Sequence, residues 1–280
     1  MSMFVSSLNS GSNANCYYLG LQDEAILIDA GLSCRETVKR LKRIGRSIKE
    51  VKAIFVSHEH SDHISGIPVL ARKFRIPVFL TRPTLDQLQF DIDEDLIRVI
   101  ESGQTITVGR FAVTPFRKLH DAHDPQSFIV RSQEVCVGVF TDIGSACDNV
   151  VHYFRQCHAA FLEANYDQDM LMQGRYPWPL KRRISSEKGH LSNDQALELF
   201  VSHRPPFMTH LFLAHLSREN NSPRIVQNTF ARAAGSTEII VASRDRETPL
   251  YHIRNKPGRV KAPHRTTPPP VRQRGQLSLF

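Results

Sequence analysis

The sequence contains no apolar run that approaches the about 20 residues a helix needs to cross a bilayer. Met1 to Gly20 also lacks the basic start and following apolar stretch of a secretion signal. Neither membrane insertion nor export is therefore expected, and the cytoplasm is the expected location. Cysteine is sparse: Cys16, Cys34, Cys136, Cys147 and Cys157 are odd in number and none sits in a C-x-x-C pair. That spacing excludes a disulfide framework and reads as free, buried thiols in a reducing compartment. Acidic residues are missing altogether from 255 to 280, where Lys256, Arg259, Lys261, Arg265, Arg272 and Arg274 fall. The formal net charge is +8, so removing those six leaves +2 for the rest of the chain. The basic excess belongs mainly to the end of the chain, and overall charge is weak evidence for a nucleic-acid groove on the body. No internal repeat is evident.

What is present is a chain of 280 residues, 41% apolar, enough for one large domain or two modest ones. Phe4 to Leu8, Cys16 to Leu21 and Ala25 to Asp29 read as strands separated by turn residues. Ser33 with Glu36 reads as a capping box opening a helix with Val38, Leu41 and Ile44 on its apolar face. Lys52 to Ser57 is a short buried strand, followed by Pro77 to Leu80 and a helix near Thr84 to Phe90. Strands are expected at Arg98 to Ile100, Thr105 to Val108, Phe111 to Phe116, Ser127 to Arg131, Glu134 to Thr141 and Ala159 to Glu163. Ser192 with Gln195 opens a helix through Val201, His210 to Ala214 is a strand, Asn221 to Ala234 a helix, and Glu238 to Ala242 a late strand. Two blocks of strands, each followed by helices, fit two sheets covered by outer helices.

The chemistry concentrates where the Lys52 strand ends, in His58, His60, Asp62 and His63. Imidazole and carboxylate are good ligands for zinc and similar divalent ions. Residues i and i+2 after a strand point the same way, so His58 and His60 can share one ion, while Asp62 and His63 can face a second. The missing ligands must come from afar, and His120, Asp142 and His215 stand where strands end.

The H-x-H-x-D-H motif made by His58, His60, Asp62 and His63 resembles the signature of the metallo-β-lactamase superfamily. The resemblance implies an α/β fold, an αββα sandwich of two mixed β-sheets flanked by helices. By it, one metal takes His58, His60 and His120, the other takes Asp62, His63 and His215, and Asp142 bridges. Two divalent ions, zinc or manganese, are implied as cofactors. The segments 7–13, 120–122, 162–167, 188–193 and 215–221 resemble more narrowly the YycJ (WalJ) type of DNA exonuclease, over about residues 1–253. The chain has no room for the large inserted domain of the related β-CASP nucleases. Glu163 and His190 look like the glutamate–histidine pair with which related tRNA 3′-processing nucleases protonate a leaving oxygen. Asp62, Asp142, Glu163 and His190 are thus the expected catalytic groups, serving a hydroxide activated by two metals.

Arg175, Lys181, Arg182 and Arg183, interleaved with Tyr176 and Trp178, suit contact with a nucleic-acid backbone and bases. Ser192 and Asn193 are further candidate contacts. Residues 1–254 are read as the hydrolase domain and 255–280 as a disordered, basic, proline-rich tail. That tail ends in Gln276-Leu277-Ser278-Leu279-Phe280, which looks like the peptide by which bacterial replication and repair proteins bind the β sliding clamp. A short apolar anchor on a flexible tether raises effective concentration at an assembly. The expected function is a metal-dependent phosphodiesterase, a DNA exonuclease working with the clamp in replication or repair. DNA is the favoured substrate and no membrane is involved. The alternatives are an RNA-processing endonuclease, a small-molecule ester or thioester hydrolase of the same fold, and a non-catalytic adaptor.

Overall fold

The computed structural model describes residues 2–255, so the peptide of Gln276, Leu277, Leu279 and Phe280 lies outside the described residues. The strands are β1 Ser2–Asn9, β2 Cys16–Gly20, β3 Ala25–Ile28, β4 Val51–Phe55, β5 Val78–Leu80, β6 Ile97–Val99 and β7 Ile106–Val108. They continue as β8 Phe111–Arg117, β9 Gln126–Ser132, β10 Val135–Phe140, β11 Ala159–Glu163, β12 His210–Ala214, β13 Glu238–Val241 and β14 Tyr251–Arg254. The helices are α1 Cys34–Arg43, α2 Ser61–Ile64, α3 Ile67–Phe74, α4 Arg82–Asp86, α5 Asp148–Phe154, α6 Gln168–Gln173, α7 Trp178–Ile184, α8 Asn193–His203 and α9 Pro223–Ala231.

Two seven-stranded sheets result, in the orders β14-β1-β2-β3-β4-β5-β6 and β13-β12-β11-β10-β9-β8-β7. Each is mixed. The runs β3 to β6 and β10 to β13 are parallel, while the rest pair antiparallel. The parallel centre explains the sequence of β11, AAFLE, which is buried at every position because both faces of its sheet are covered. Tyr17, Phe55, Phe128, Phe161 and Phe212 fill the space between the sheets. A second cluster, including Leu41, Ile67 and Leu70, packs α1 and α3 on the first sheet, and a third, including Phe154, Phe200 and Phe230, packs α5, α8 and α9 on the second. This is the expected αββα sandwich.

Local details depart from the sequence reading where side chains choose other partners. Ser33 caps α1, accepting from Glu36 N at 3.3 Å, but the Glu36 carboxylate turns to Lys39 at 3.0 Å instead of closing a capping box. The reciprocal box forms at Ser192 and Gln195. The helix expected near Thr84 to Phe90 is Arg82–Asp86: it starts earlier because Thr81 caps it and Pro83 occupies its first turn, and it ends at the Gln87 cap. Strand β14 was not expected. It adds a last strand beside β1, pairing Ser2 with Arg254.

The strands of the parallel runs end on one edge of the sandwich. Asp29, Asp142 and His215 each follow a strand and each adopt the left-handed conformation, at φ 58°, 54° and 55°. For residues other than glycine that conformation costs about 1–3 kcal/mol and collects at functional sites.

Candidate metal centre

His58 follows β4, His60 caps α2, and Asp62 and His63 lie in the single turn of α2. That turn is held in place by backbone. Asn15 N donates to Asp62 O at 2.7 Å, and Ala30 N donates to His63 O at 2.8 Å. Gly31 permits this close approach, since a Cβ there would stand 1.8 Å from Asp62 O.

The distant residues converge on the turn. The ligand-capable atoms of His58, His60 and His120 lie within 4.8 Å of one another, and so do those of Asp62, His63 and His215. Asp142 stands between the two groups. Its carboxylate is 3.1 Å from His63 Nε2, 3.8 Å from His120 Nε2 and 3.6 Å from His215 Nε2. Asp62 Oδ2 is 3.5 Å from His63 Nε2 and 3.6 Å from His215 Nε2.

Outer partners fix which nitrogen faces inward. Asp29, fully buried, takes Nδ1 of His63 at 2.7 Å and also accepts from Ser57 N and Ser57 Oγ. His120 Nδ1 faces the Gly189 carbonyl at 3.1 Å. His215 Nδ1 faces Glu163 Oε1 at 2.9 Å. In each case Nε2 is left for the centre, which is how metal-binding histidines are oriented. Asn15 Nδ2 adds a hydrogen bond to Asp62 Oδ2 at 3.0 Å. Asn165 Nδ2 donates to His215 O at 2.8 Å.

The electrostatics divide the histidines. Burial pushes His58 well down and His120 down to about 4, leaving neutral imidazoles with lone pairs to donate. Burial alone would also lower His63 and His215, but neighbouring carboxylates outweigh it. Asp142, Asp29 and Asp62 raise His63, while Asp142, Asp62 and Glu163 raise His215 to about 10. Burial would raise Asp142, yet His215 and His63 hold it well below the ordinary carboxylate range. The protein has gathered carboxylate charge here, faced by the imidazoles and by the buried Lys118 ammonium, whose Nζ donates to Thr141 O at 2.6 Å and which lies within the field of Asp142, Asp29, Glu163 and Asp62.

The donor set fits divalent ions on one further observation. Nε2 of His120 and Nε2 of His215 are buried and have no hydrogen-bond partner among the described residues, and buried Asp142 Oδ2 stands 3.1 Å from His63 Nε2. Each such orphan costs about 1–3 kcal/mol. Unpartnered imidazole nitrogens beside a buried carboxylate fit a divalent cation, which would satisfy them.

Glu163 does more than the sequence suggested. Its Oε1 is 2.7 Å from His190 Nδ1 as well as 2.9 Å from His215 Nδ1, and Oε2 accepts from Ile143 N at 2.6 Å. His190 and His215 together pull Glu163 down to about 2, against the upward push of burial. His190 remains part-exposed, with its side chain 22% accessible.

The expected nucleic-acid contacts fare unevenly. Arg175 and Arg182 are exposed, and Arg183 is exposed but paired with Asp121 at 2.5 Å, one residue from His120. Lys181 is instead buried and donates Nζ to Met172 O at 2.6 Å. Ser192 is spent capping α8, and Asn193 is buried against Asn221. All three are buried, and each has a polar side-chain atom engaged within the fold. Sequence reasoning also passed over Asn15, Asp29, Ser57 and Asn165. Asp29 had a signal, because it ends a fully apolar strand just as Asp142 does.

The profile of the Beta-lactamase superfamily domain matches residues 24–215. The exodeoxyribonuclease YycJ of Bacillus anthracis is 35% identical over 230 residues, covering 81% of this chain and 87% of its own. The exodeoxyribonuclease WalJ of Streptococcus pneumoniae is 32% identical over 261 residues, covering 89% and 97%. Among solved structures, the metallo-β-lactamase fold protein YhfI of Bacillus subtilis superposes with a TM-score of 0.71 at 17% identity, over 90% of this chain and 100% of that one, a likeness of fold.

Proposed function

Because the chain belongs to the metallo-β-lactamase superfamily and matches YycJ and WalJ along most of its length, we propose that it is a dinuclear metal-dependent phosphodiesterase that digests DNA from an end. The observation that carries this reading is the convergence of His120, His215 and buried Asp142 on the His58–His63 turn, with Nε2 of His120 and of His215 unpartnered among the described residues. His58, His60 and His120 would hold one ion and Asp62, His63 and His215 the other, with Asp142 touching both. When bound, a pair of zinc or manganese ions supplies positive charge for the phosphate oxygens and makes water acidic enough to attack near neutral pH.

The chain's own groups do the rest. Asp29, Gly189 O and Glu163 hold the imidazoles in the orientation that presents Nε2 inward. Glu163 also engages His190 at Nδ1, at 2.7 Å, and so fixes the ring with Nε2 turned outward. His190 Nε2, turned away from that carboxylate, gives its proton to the alkoxide leaving as the P–O bond breaks, and water replenishes it. Exposed Arg175, Arg182 and Arg183, the last paired with Asp121 beside His120, would supply contacts to the substrate backbone. The exodeoxyribonuclease names of YycJ and WalJ favour DNA over RNA. The Gln276–Phe280 peptide, on its basic proline-rich tether, would bind the β sliding clamp and bring the enzyme to replication or repair sites in the cytoplasm.

The test incubates purified protein with end-labelled duplex DNA, single-stranded DNA and RNA, with manganese, zinc or chelator. Stepwise shortening of DNA from one end, abolished by chelator, is expected. Cleavage of RNA alone, or hydrolysis of small esters alone, would replace this reading with an RNA endonuclease or an ester hydrolase.

A further inference from the structure

A cavity of about 970 Å³ lies beside the metal centre and is not part of it. Its walls come from the end of α1, the segment after β12 and the connection between β13 and β14. It comes within one residue of the centre along the chain. Leu216 and Ser217, the two residues after His215, line it, and so does Ser10, whose Oγ accepts from His215 N at 2.7 Å.

Four arginines line this cavity, Arg43, Arg218, Arg244 and Arg246, against two acids, Asp245 and Glu247. Glu247 is already matched, at 3.6 Å from Arg43 and 4.0 Å from Arg40 outside the cavity wall. Among the described residues Arg218 forms an ion pair with exposed Glu219 alone, at 3.8 Å. Arg244 is half-buried, and its Nη1 is fully buried without a hydrogen-bond partner among the described residues. A buried guanidinium donor left unmatched is costly unless something accepts from it. The walls are otherwise largely apolar, with Tyr251 at one side. Basic forks set among apolar and aromatic surface recognise phosphate backbone and bases together.

We infer that this arginine-lined cleft seats the phosphates of the substrate strand flanking the scissile bond, with Arg244 and Arg246 as direct phosphate ligands. The inference rests on the phosphodiesterase reading and extends it, since it says where the strand runs on leaving the metals. It runs past Leu216 and Ser217 towards the β13–β14 connection. The size agrees, because the cavity stands at the upper end of the roughly 300–1,000 Å³ of small-ligand pockets.

The experiment uses the metal-loaded, full-length protein and a fluorescent single-stranded phosphorothioate oligodeoxynucleotide that resists hydrolysis. Binding is read by anisotropy across about 50 to 200 mM salt, where each phosphate contact on a single strand contributes about 0.7 to the slope of log K against log salt. The Arg244→Ala/Arg246→Ala variant is expected to bind about tenfold more weakly with a slope shallower by about 1.4. Arg244→Lys/Arg246→Lys is expected to recover the slope. Wild-type affinity and slope in the alanine variant overturn the inference and leave the phosphodiesterase reading standing. No binding by the wild type in any salt overturns both. Should the double variant not fold, exposed Arg246→Glu decides: weaker binding supports the cleft and unchanged binding refutes it.

Discussion

Asp29→Asn alters one buried oxygen and almost nothing of the shape. Asp29 Oδ1 accepts from Ser57 N at 2.8 Å, while Oδ2 takes both Ser57 Oγ at 2.8 Å and His63 Nδ1 at 2.7 Å. Ser57 N must keep its acceptor, so the new amide group takes the place of Oδ2 and faces His63 as a donor. A hydroxyl can rotate to accommodate that, but an imidazole cannot without moving its proton. His63 then becomes an acceptor at Nδ1 and carries hydrogen at Nε2, the nitrogen that faces Asp62 and Asp142. Losing such an outer partner typically costs 10–100-fold, roughly, in metal affinity. In excess metal that is about 1.4–2.8 kcal/mol of metal-derived stability. For a domain near this size, 1 kcal/mol shifts Tm by about 2–4 °C. The rise in Tm on adding manganese or zinc should therefore shrink by roughly 3–11 °C. Scanning calorimetry with metal and with chelator, alongside competition against a chromophoric chelator, measures both quantities. A wild-type metal affinity in Asp29→Asn refutes the argument that Asp29 sets the His63 tautomer.

Other substitutions separate chemistry from scaffold. His190→Gln should slow DNA cleavage by about 10²–10⁴ while metal content stays at the wild-type level, because proton delivery is lost and the ligands are kept. Metal analysis beside a cleavage time course checks this, and loss of metal would show a structural role instead. Gly31→Ala would set a Cβ 1.8 Å from Asp62 O. It should cost about 1–3 kcal/mol or more by overpacking and lower metal affinity as the Asp62 turn shifts, read by urea melts and metal titration. Phe161→Ala removes a fully buried ring stacked on Phe212 at 4.5 Å. It should cost about 3–5 kcal/mol of stability, with equal metal binding by the folded fraction. Deleting 276–280 should abolish binding to the sliding clamp and spare cleavage of free DNA, and equal clamp binding by the truncated chain removes that claim.

Much of the framework was legible because its causes are local. The apolar runs of β4, β11 and β12 announce buried strands, and each delivers a histidine or carboxylate at its end. The density of His58, His60, Asp62 and His63 is itself a chemical signal. What sequence hid depends on which partner a polar group finds after folding. Ser192 and Asn193 look like free polar residues until one caps α8 and the other pairs with Asn221. Lys181 looks basic and available, but α7 turns it inward to the Met172 carbonyl. Helices such as α3 and α5, of 8 and 7 residues, are short enough that tertiary packing supplies most of their stability. The arginine cleft joins positions 43, 218, 244 and 246, which no spacing rule links.

The central claim is that far-separated imidazoles and carboxylates meet around a pair of cations at Asp142. Metal stoichiometry on the wild type and on Asp142→Ala, by isothermal titration with manganese and by elemental analysis after dialysis, tests it most directly. Two ions per chain, falling to one or none in Asp142→Ala together with loss of DNA cleavage, is the predicted result. A wild-type protein that binds no divalent ion, or an Asp142→Ala protein that retains both, would contradict it.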